Sequence, residues 1–165
     1  MRRYFSFILL IILLASLAGC SQKVQNSEAM KASADELDQK FLTDYNNRDT
    51  DGLTSLFWNN PEVVRIRTRS TGNRIIKGWD SVKASYQKVF SDSRDFKMEI
   101  PELYNQVVAD VVIGYGIWRW IVNIPDRDST IVVDGRYSNV KAVRDGKWVY
   151  VLIHSSIPYS PTKVR

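Results

Sequence analysis

From Phe96 onward the chain reads almost wholly as strand, and this limits its fold more than any other feature. Phe96 to Val108, Val111 to Val122, Thr130 to Val143 and Lys147 to Ser155 are rich in β-branched and aromatic residues, with short turn signals between them. Pro101 interrupts the first stretch, which fits a bulge or an edge strand. Gly114 and Gly116 mark where the second bends. Asp145-Gly146 is the preferred two-residue hairpin turn, because both residues tolerate positive φ. That turn sets a register. Arg144 pairs with Lys147, so Val143 is predicted opposite Trp148, Lys141 opposite Tyr150, Asn139 opposite Leu152, and Tyr137 opposite His154. Val140, Ala142, Val149, Val151 and Ile153 then fall on the other side. A sheet apolar on both faces needs cover on both. The aromatic side carries polar tips at Tyr137, Asn139, Tyr150 and His154, as a small-molecule pocket requires. The aliphatic side suits a subunit interface, so a homodimer is expected.

The first half is helical. Ser33 and Glu36 have the form of a capping box. Leu37, Phe41, Leu42 and Tyr45 follow at helical spacing, predicting a helix from Ala34 to Asn46. A second short helix, Thr50 to Trp58, buries Leu53, Leu56 and Phe57. Val63 to Arg69 alternates Val64, Ile66 and Thr68 against Arg65, Arg67 and Arg69, the period-2 mark of a strand with one wet face. Arg74 to Lys77 returns, and a third helix after Gly78 carries Val82, Tyr86, Val89 and Phe90. Helices early and strands late predict an α+β domain, three N-terminal helices packed on a strongly curved antiparallel sheet.

This order of elements, from about Ser33 to Pro158, resembles the nuclear-transport-factor-2-like (NTF2-like) superfamily in its SnoaL-like branch. The local likeness is clearest at Arg144-Asp145-Gly146-Lys147-Trp148, followed by His154 and Ser156. A similar hairpin occurs in the association domain of calcium/calmodulin-dependent protein kinase. The resemblance implies a cone-shaped fold with a cavity lined by Trp118, Trp120 and the Asn139 face. It selects no single function, since the fold hosts isomerases, cyclases, dehydratases, assembly domains and binders. The kinase domain has arginines where Trp118 and Asn139 stand here. The expected ligand is small and mainly apolar or aromatic, bound without turnover by Trp118, Trp120, Tyr137, Asn139, Tyr150 and His154. The alternatives are a lyase or isomerase that uses His154 in the same pocket, and a non-catalytic assembly module.

His154 is the chain's one histidine and the natural general acid or base. Candidate carboxylates are Glu99, Glu102, Asp110 and Asp134, of which Asp110 is better explained as a turn residue. The Arg65, Arg67, Arg69 row, with Arg74 nearby, reads as a solvated strand face, with binding of phosphate or acidic partners as the alternative. One histidine and one cysteine leave no metal site of the usual kind, and no cofactor is expected. No lysine or arginine run supports nucleic-acid binding.

The N-terminus predicts location. Arg2-Arg3, an apolar run from Phe7 to Leu14 and small residues ending in Leu17-Ala18-Gly19-Cys20 have the layout of a secretory signal. The run is short of the ~20 apolar residues of a membrane span. It resembles a bacterial lipoprotein signal, whose lipobox is Leu17-Ala18-Gly19-Cys20. The resemblance implies a signal peptide over 1–19, cleavage before Cys20, acyl chains on Cys20 and attachment to a lipid bilayer in the cell envelope. Residues 20–32 form a polar tether, 33–158 the domain and 159–165 a tail. Ser21 favours the outer membrane by the same resemblance, with the domain in the periplasm or at the cell surface. Mass spectrometry of the mature N-terminal peptide is expected to show acylated Cys20. Cys20→Ser is expected to remain unlipidated and unprocessed, and an unmodified cysteine still joined to Gly19 would overturn the assignment.

Overall fold

The computed structural model describes residues 26–69, 72–91, 95–124 and 129–157. The expected signal peptide, Cys20 and the expected C-terminal tail lie outside the described residues. Helix α1 spans 26–46, and α2 spans Thr50–Ser55. Strands β1 (Val64–Arg69) and β2 (Gly72–Lys77) precede α3 (Trp79–Phe90). Then come β3 (Phe96–Val108), β4 (Val111–Ile124), β5 (Ser129–Arg144) and β6 (Lys147–Ser156).

Helix α1 starts before the expected cap, so Ser33 lies within it and 26–32 are helical rather than tether. Glu28, Ala29, Met30, Lys31 and Ala32 are good helix formers, but they carry no apolar stripe for a periodicity argument to detect. Ala34, Leu37, Asp38, Phe41, Asp44 and Tyr45 are buried, one face at helical spacing. Asn46 ties the helix end to β3. Its Nδ2 donates to Met98 O at 2.9 Å, and its Oδ1 accepts from Met98 N at 2.7 Å. Asp49 caps α2 by accepting from Gly52 N at 2.8 Å.

The strands form one sheet in the order β2-β1-β6-β5-β4-β3. It is mixed rather than wholly antiparallel, because β1 runs parallel to β6. The chain can make this pairing because β2, α3 and three more strands intervene before β6, far more than a parallel crossover needs. Phe57 also bridges to Tyr150 in parallel, which docks the exit of α2 on the same strand.

Two irregularities bend the sheet. In β3 the register shifts between Glu99 and Glu102, around Pro101 on the edge strand. In β6 it shifts between Tyr150, which pairs with Lys141, and Leu152, which pairs with Val140. Val151 is the extra residue. A bulge moves every later side chain to the opposite face. Lys141–Tyr150 and Val143–Trp148 pair as expected. Beyond the bulge Asn139 pairs with Ile153, Tyr137 with Ser155, and Ser138 with His154. Ile153 therefore joins the concave face and His154 the convex one. The expected aliphatic interface is not a single surface, since Ile153 leaves it.

The core lies between the concave face and the helices. Phe41, Tyr45, Phe57, Tyr86, Phe96 and Tyr150 are packed at ring-centroid distances of 5.3–6.4 Å. Glycines permit the tightest approaches. A Cβ at Gly116 would overlap the Glu102 carbonyl oxygen at the β3 bulge, whereas one at Gly146 would meet nothing but would sit at φ +73°. Gly116→Ala is expected to cost ~3 kcal/mol, as overpacking against backbone does. Gly146→Ala is expected to cost ~1 kcal/mol through its left-handed conformation alone. Urea unfolding of the two variants checks this order.

Candidate functional site

The concave face and α1 enclose a cavity of about 340 Å3. Its floor is a buried polar network. Asp38, 3% exposed, projects from α1, and Lys141, 0% exposed, projects from β5. Lys141 Nζ donates to Asp38 Oδ2 at 2.5 Å and to Asn105 Oδ1 at 2.7 Å. Tyr150 Oη donates to Asp38 Oδ1 at 2.6 Å. Asn105 Nδ2 donates to Asp38 Oδ2 at 2.9 Å and to Asp35 Oδ1 at 2.7 Å. Gly114, between Asn105 and Asn139 in the ladder, leaves room for both amides; a Cβ there would lie 2.8 Å from Asn105 Oδ1.

Burial dominates the electrostatics here. It pulls the Lys141 ammonium pKa down, and Asp38 pulls it back in part. It pushes the Tyr150 hydroxyl well up, with Asp38 adding to the effect, and does the same at Tyr137. Burial also raises Tyr86, against opposition from Arg65 and Arg67. Tyr137 Oη and Asn139 Oδ1 are buried without a hydrogen-bond partner among the described residues.

The walls are aromatic and apolar. Trp118 lies over Gly135, where a Cβ would overlap its ring, and its Nε1 donates to Arg136 O at 3.1 Å. Trp120 packs on Phe96 at 5.5 Å between ring centroids. Met98, Ile100, Val133 and Ile153 complete the apolar lining. Arg65 and Arg67 line the cavity from β1. Their face is thus not simply solvated: Arg65 is 6% exposed. Its Nη1 donates to Ser85 Oγ at 2.6 Å, and its Cζ stands 3.6 Å from the Tyr86 ring centroid. Arg74 is exposed on β2, and the Arg69 side chain lies outside the described residues.

Of the residues singled out in the sequence, Trp118, Trp120, Tyr137, Asn139 and Tyr150 line this cavity together. His154 does not: the Val151 bulge turns it to the convex face, beside Ser138 and Ile66. The proposed carboxylates are elsewhere as well. Glu99 pairs with Lys97, Asp134 pairs with Arg119 at 2.7 Å, Asp110 is in the exposed β3–β4 turn, and Glu102 is exposed. The cavity carboxylate is Asp38. Its signal in the sequence is a charge within the apolar face of α1, between Leu37 and Phe41. Lys141 gave the same signal in an apolar strand opposite Tyr150. Among the described residues no group of His, Cys, Asp and Glu is arranged to hold a metal ion.

The buried tyrosines make stability depend on alkaline pH. Unfolded tyrosines ionise near 10.0, whereas folded Tyr86, Tyr137 and Tyr150 stay protonated to higher pH. Above that value the folded state binds more protons than the unfolded one, so stability falls as pH rises. Lys141 acts oppositely, because its folded pKa lies below the unfolded 10.5, but three tyrosines outweigh one lysine. Each tyrosine contributes ~1.4 kcal/mol per pH unit above its unfolded pKa. Urea unfolding from about pH 9 to about pH 11 is expected to show this loss, and Tyr150→Phe is expected to remove about one such increment from the slope.

Comparison with known proteins accords with this architecture. The SnoaL-like domain family matches residues 35–160. No curated protein matches the chain significantly. Among solved structures, an NTF2-like superfamily protein from Salmonella enterica serovar Typhimurium is 19% identical, covers 84% of this chain and 97% of its own, and superposes with a TM-score of 0.69. A putative calcium/calmodulin-dependent protein kinase II association domain from Xanthomonas campestris is 19% identical over 77% of this chain and 87% of its own, with a TM-score of 0.61. A putative dehydratase of the NTF2-like family from Streptomyces avermitilis is 13% identical over 81% of this chain and 99% of its own, with a TM-score of 0.68. Its NTF2-like fold is shared with all three, and by the family match this chain belongs to the SnoaL-like domain family.

Proposed function

We propose that the domain binds a small, mainly aromatic or apolar molecule in its concave cavity without turnover, and that acyl chains on Cys20 hold it to a membrane of the cell envelope. The observation that carries the binding reading is the state of Asp38. Both its oxygens are engaged, Oδ1 by Tyr150 and Oδ2 by Lys141 and Asn105. A carboxylate so occupied anchors structure and is poorly placed to take a proton from a ligand. Trp118 and Trp120 supply flat surfaces for stacking, which a ring-bearing ligand would use. A homodimer belongs to the same proposal. Its interface would be the convex face, where Val64, Ile66, Ile113, Val140 and Leu152 are half-buried.

A second reading, isomerase or lyase chemistry, is favoured by one observation: a buried carboxylate does face the cavity. The base would then be Asp38 and not His154. Likeness in fold to a putative dehydratase is consistent with that reading but does not select it.

Native mass spectrometry of protein purified from its own host is expected to show a bound small molecule. Trp118→Ala is expected to weaken its retention by ~10-fold, or ~1.4 kcal/mol. Asp38→Asn separates the readings. Binding without turnover predicts a less stable protein that still holds the ligand unchanged. Catalysis predicts conversion of the ligand by the wild type and a loss of ~100-fold or more in the variant. Protein that carries nothing, and whose stability no small molecule shifts, would overturn the binding reading.

A further inference from the structure

We infer that the ligand carries a carboxylate and that Arg65 is its counter-ion. This deepens the binding reading and rests on it. Asp38 is neutralised at the floor by Lys141, so the cavity's carboxylate is already spent. Arg65 is not so paired. It is more than nine-tenths buried and lines the cavity, and it forms no ion pair with any described residue. Its protein partners are one hydroxyl, Ser85 Oγ, and the face of the Tyr86 ring.

A guanidinium has five N–H donors and cannot shed its charge. Ser85 takes a single one, and Ser85 Oγ in turn donates to Val82 O at 2.6 Å. Stacking on Tyr86 holds the guanidinium plane but satisfies none of its N–H groups. A buried cation without a counter-ion is costly unless something else supplies one. The cavity is where that something can enter. Arg65 is fixed on both sides, by β1 through its backbone and by α3 through Ser85 and Tyr86, so little ordering is left for a ligand to bring about. The planar fork matches a carboxylate in two parallel bonds. Arg67, two residues on, lines the same cavity. With Trp118 and Trp120 of β4 lining the same cavity, the site fits an aryl or alkyl carboxylate, its acid on Arg65 and its apolar body on the indoles.

The test is isothermal titration of the full-length protein in detergent with matched pairs: benzoate and benzamide, indole-3-acetate and indole-3-acetamide, 2-naphthoate and 2-naphthamide. Each pair differs in charge and hardly in shape. The expected result is that the carboxylate of at least one pair binds on the order of 10-fold or more tighter than its amide. Arg65→Gln is expected to bring that carboxylate down to the affinity of its amide and leave the amide unchanged. Arg65→Lys is expected to retain part of the preference. The wild-type comparison stands even if a variant fails to fold. Amides that bind the wild type as tightly as their carboxylates overturn this inference and leave the binding reading intact. A preference that persists in Arg65→Gln overturns the role of Arg65. No binding by any member of the three pairs overturns the carboxylate assignment, and an empty protein from the native host overturns the binding reading separately.

Discussion

The contact between Asp38 and Lys141 is the constraint on which the rest of the structure depends. It joins α1 to the middle of the sheet, with Tyr150 of β6 and Asn105 of β3 drawn into the same network. Three strands and a helix are thus registered on one another at a buried point. Apolar packing alone would tolerate small slips of α1 over the sheet, because burial is non-directional. A pair of charges in a low-dielectric setting is not so tolerant. Removing either partner strands the other and costs ~3–5 kcal/mol. The network therefore fixes geometry more surely than it adds net stability.

What the network fixes is a cavity floor. A flat sheet would meet the helix along its whole length and leave no cavity. Here the bulges around Pro101 in edge strand β3 and at Val151 in interior strand β6 bend the sheet. Gly114, Gly116 and Gly135 let side chains and backbone approach where curvature crowds them. β1 lies beside β6 in parallel, and Arg65 on it lines the same cavity as the tryptophans of β4. Site and scaffold share one cause, a sheet that cannot lie flat.

Much of this was legible in the residues. Strand β3 was readable in full, α3 to within a residue at either end, and the Asp145-Gly146 turn with its first pairs was correct, because these rest on local chemistry: periodicity, caps and positive φ. The start of α1 was not legible, since 26–32 carry helix propensity without an apolar face. The placement of His154 failed for a sharper reason. Counting by two along β6 assumes an unbroken ladder, and Val151 breaks it. Nothing in Tyr150-Val151-Leu152-Ile153-His154 marks the bulge, because Val, Leu and Ile suit either face. The bridge from Phe57 to Tyr150, just before the bulge, joins segments far apart in sequence, so no local pattern reports it. The parallel β1–β6 pairing is hidden for the same reason, and with it the burial of Arg65.

Asp38 and Arg65 show how burial separates scaffold from site. Both are charges on otherwise apolar elements, and both are almost wholly removed from solvent. Asp38 has both oxygens engaged by partners within the chain, so it can be read as structure. Arg65 has a hydroxyl and a ring where a carboxylate would be expected. Folding alone gives no reason to keep such a group, since a buried cation without a counter-ion opposes stability. The cost becomes intelligible if the missing partner arrives from outside. On that view the paired charge determines where the cavity lies, and the charge left open determines what enters it.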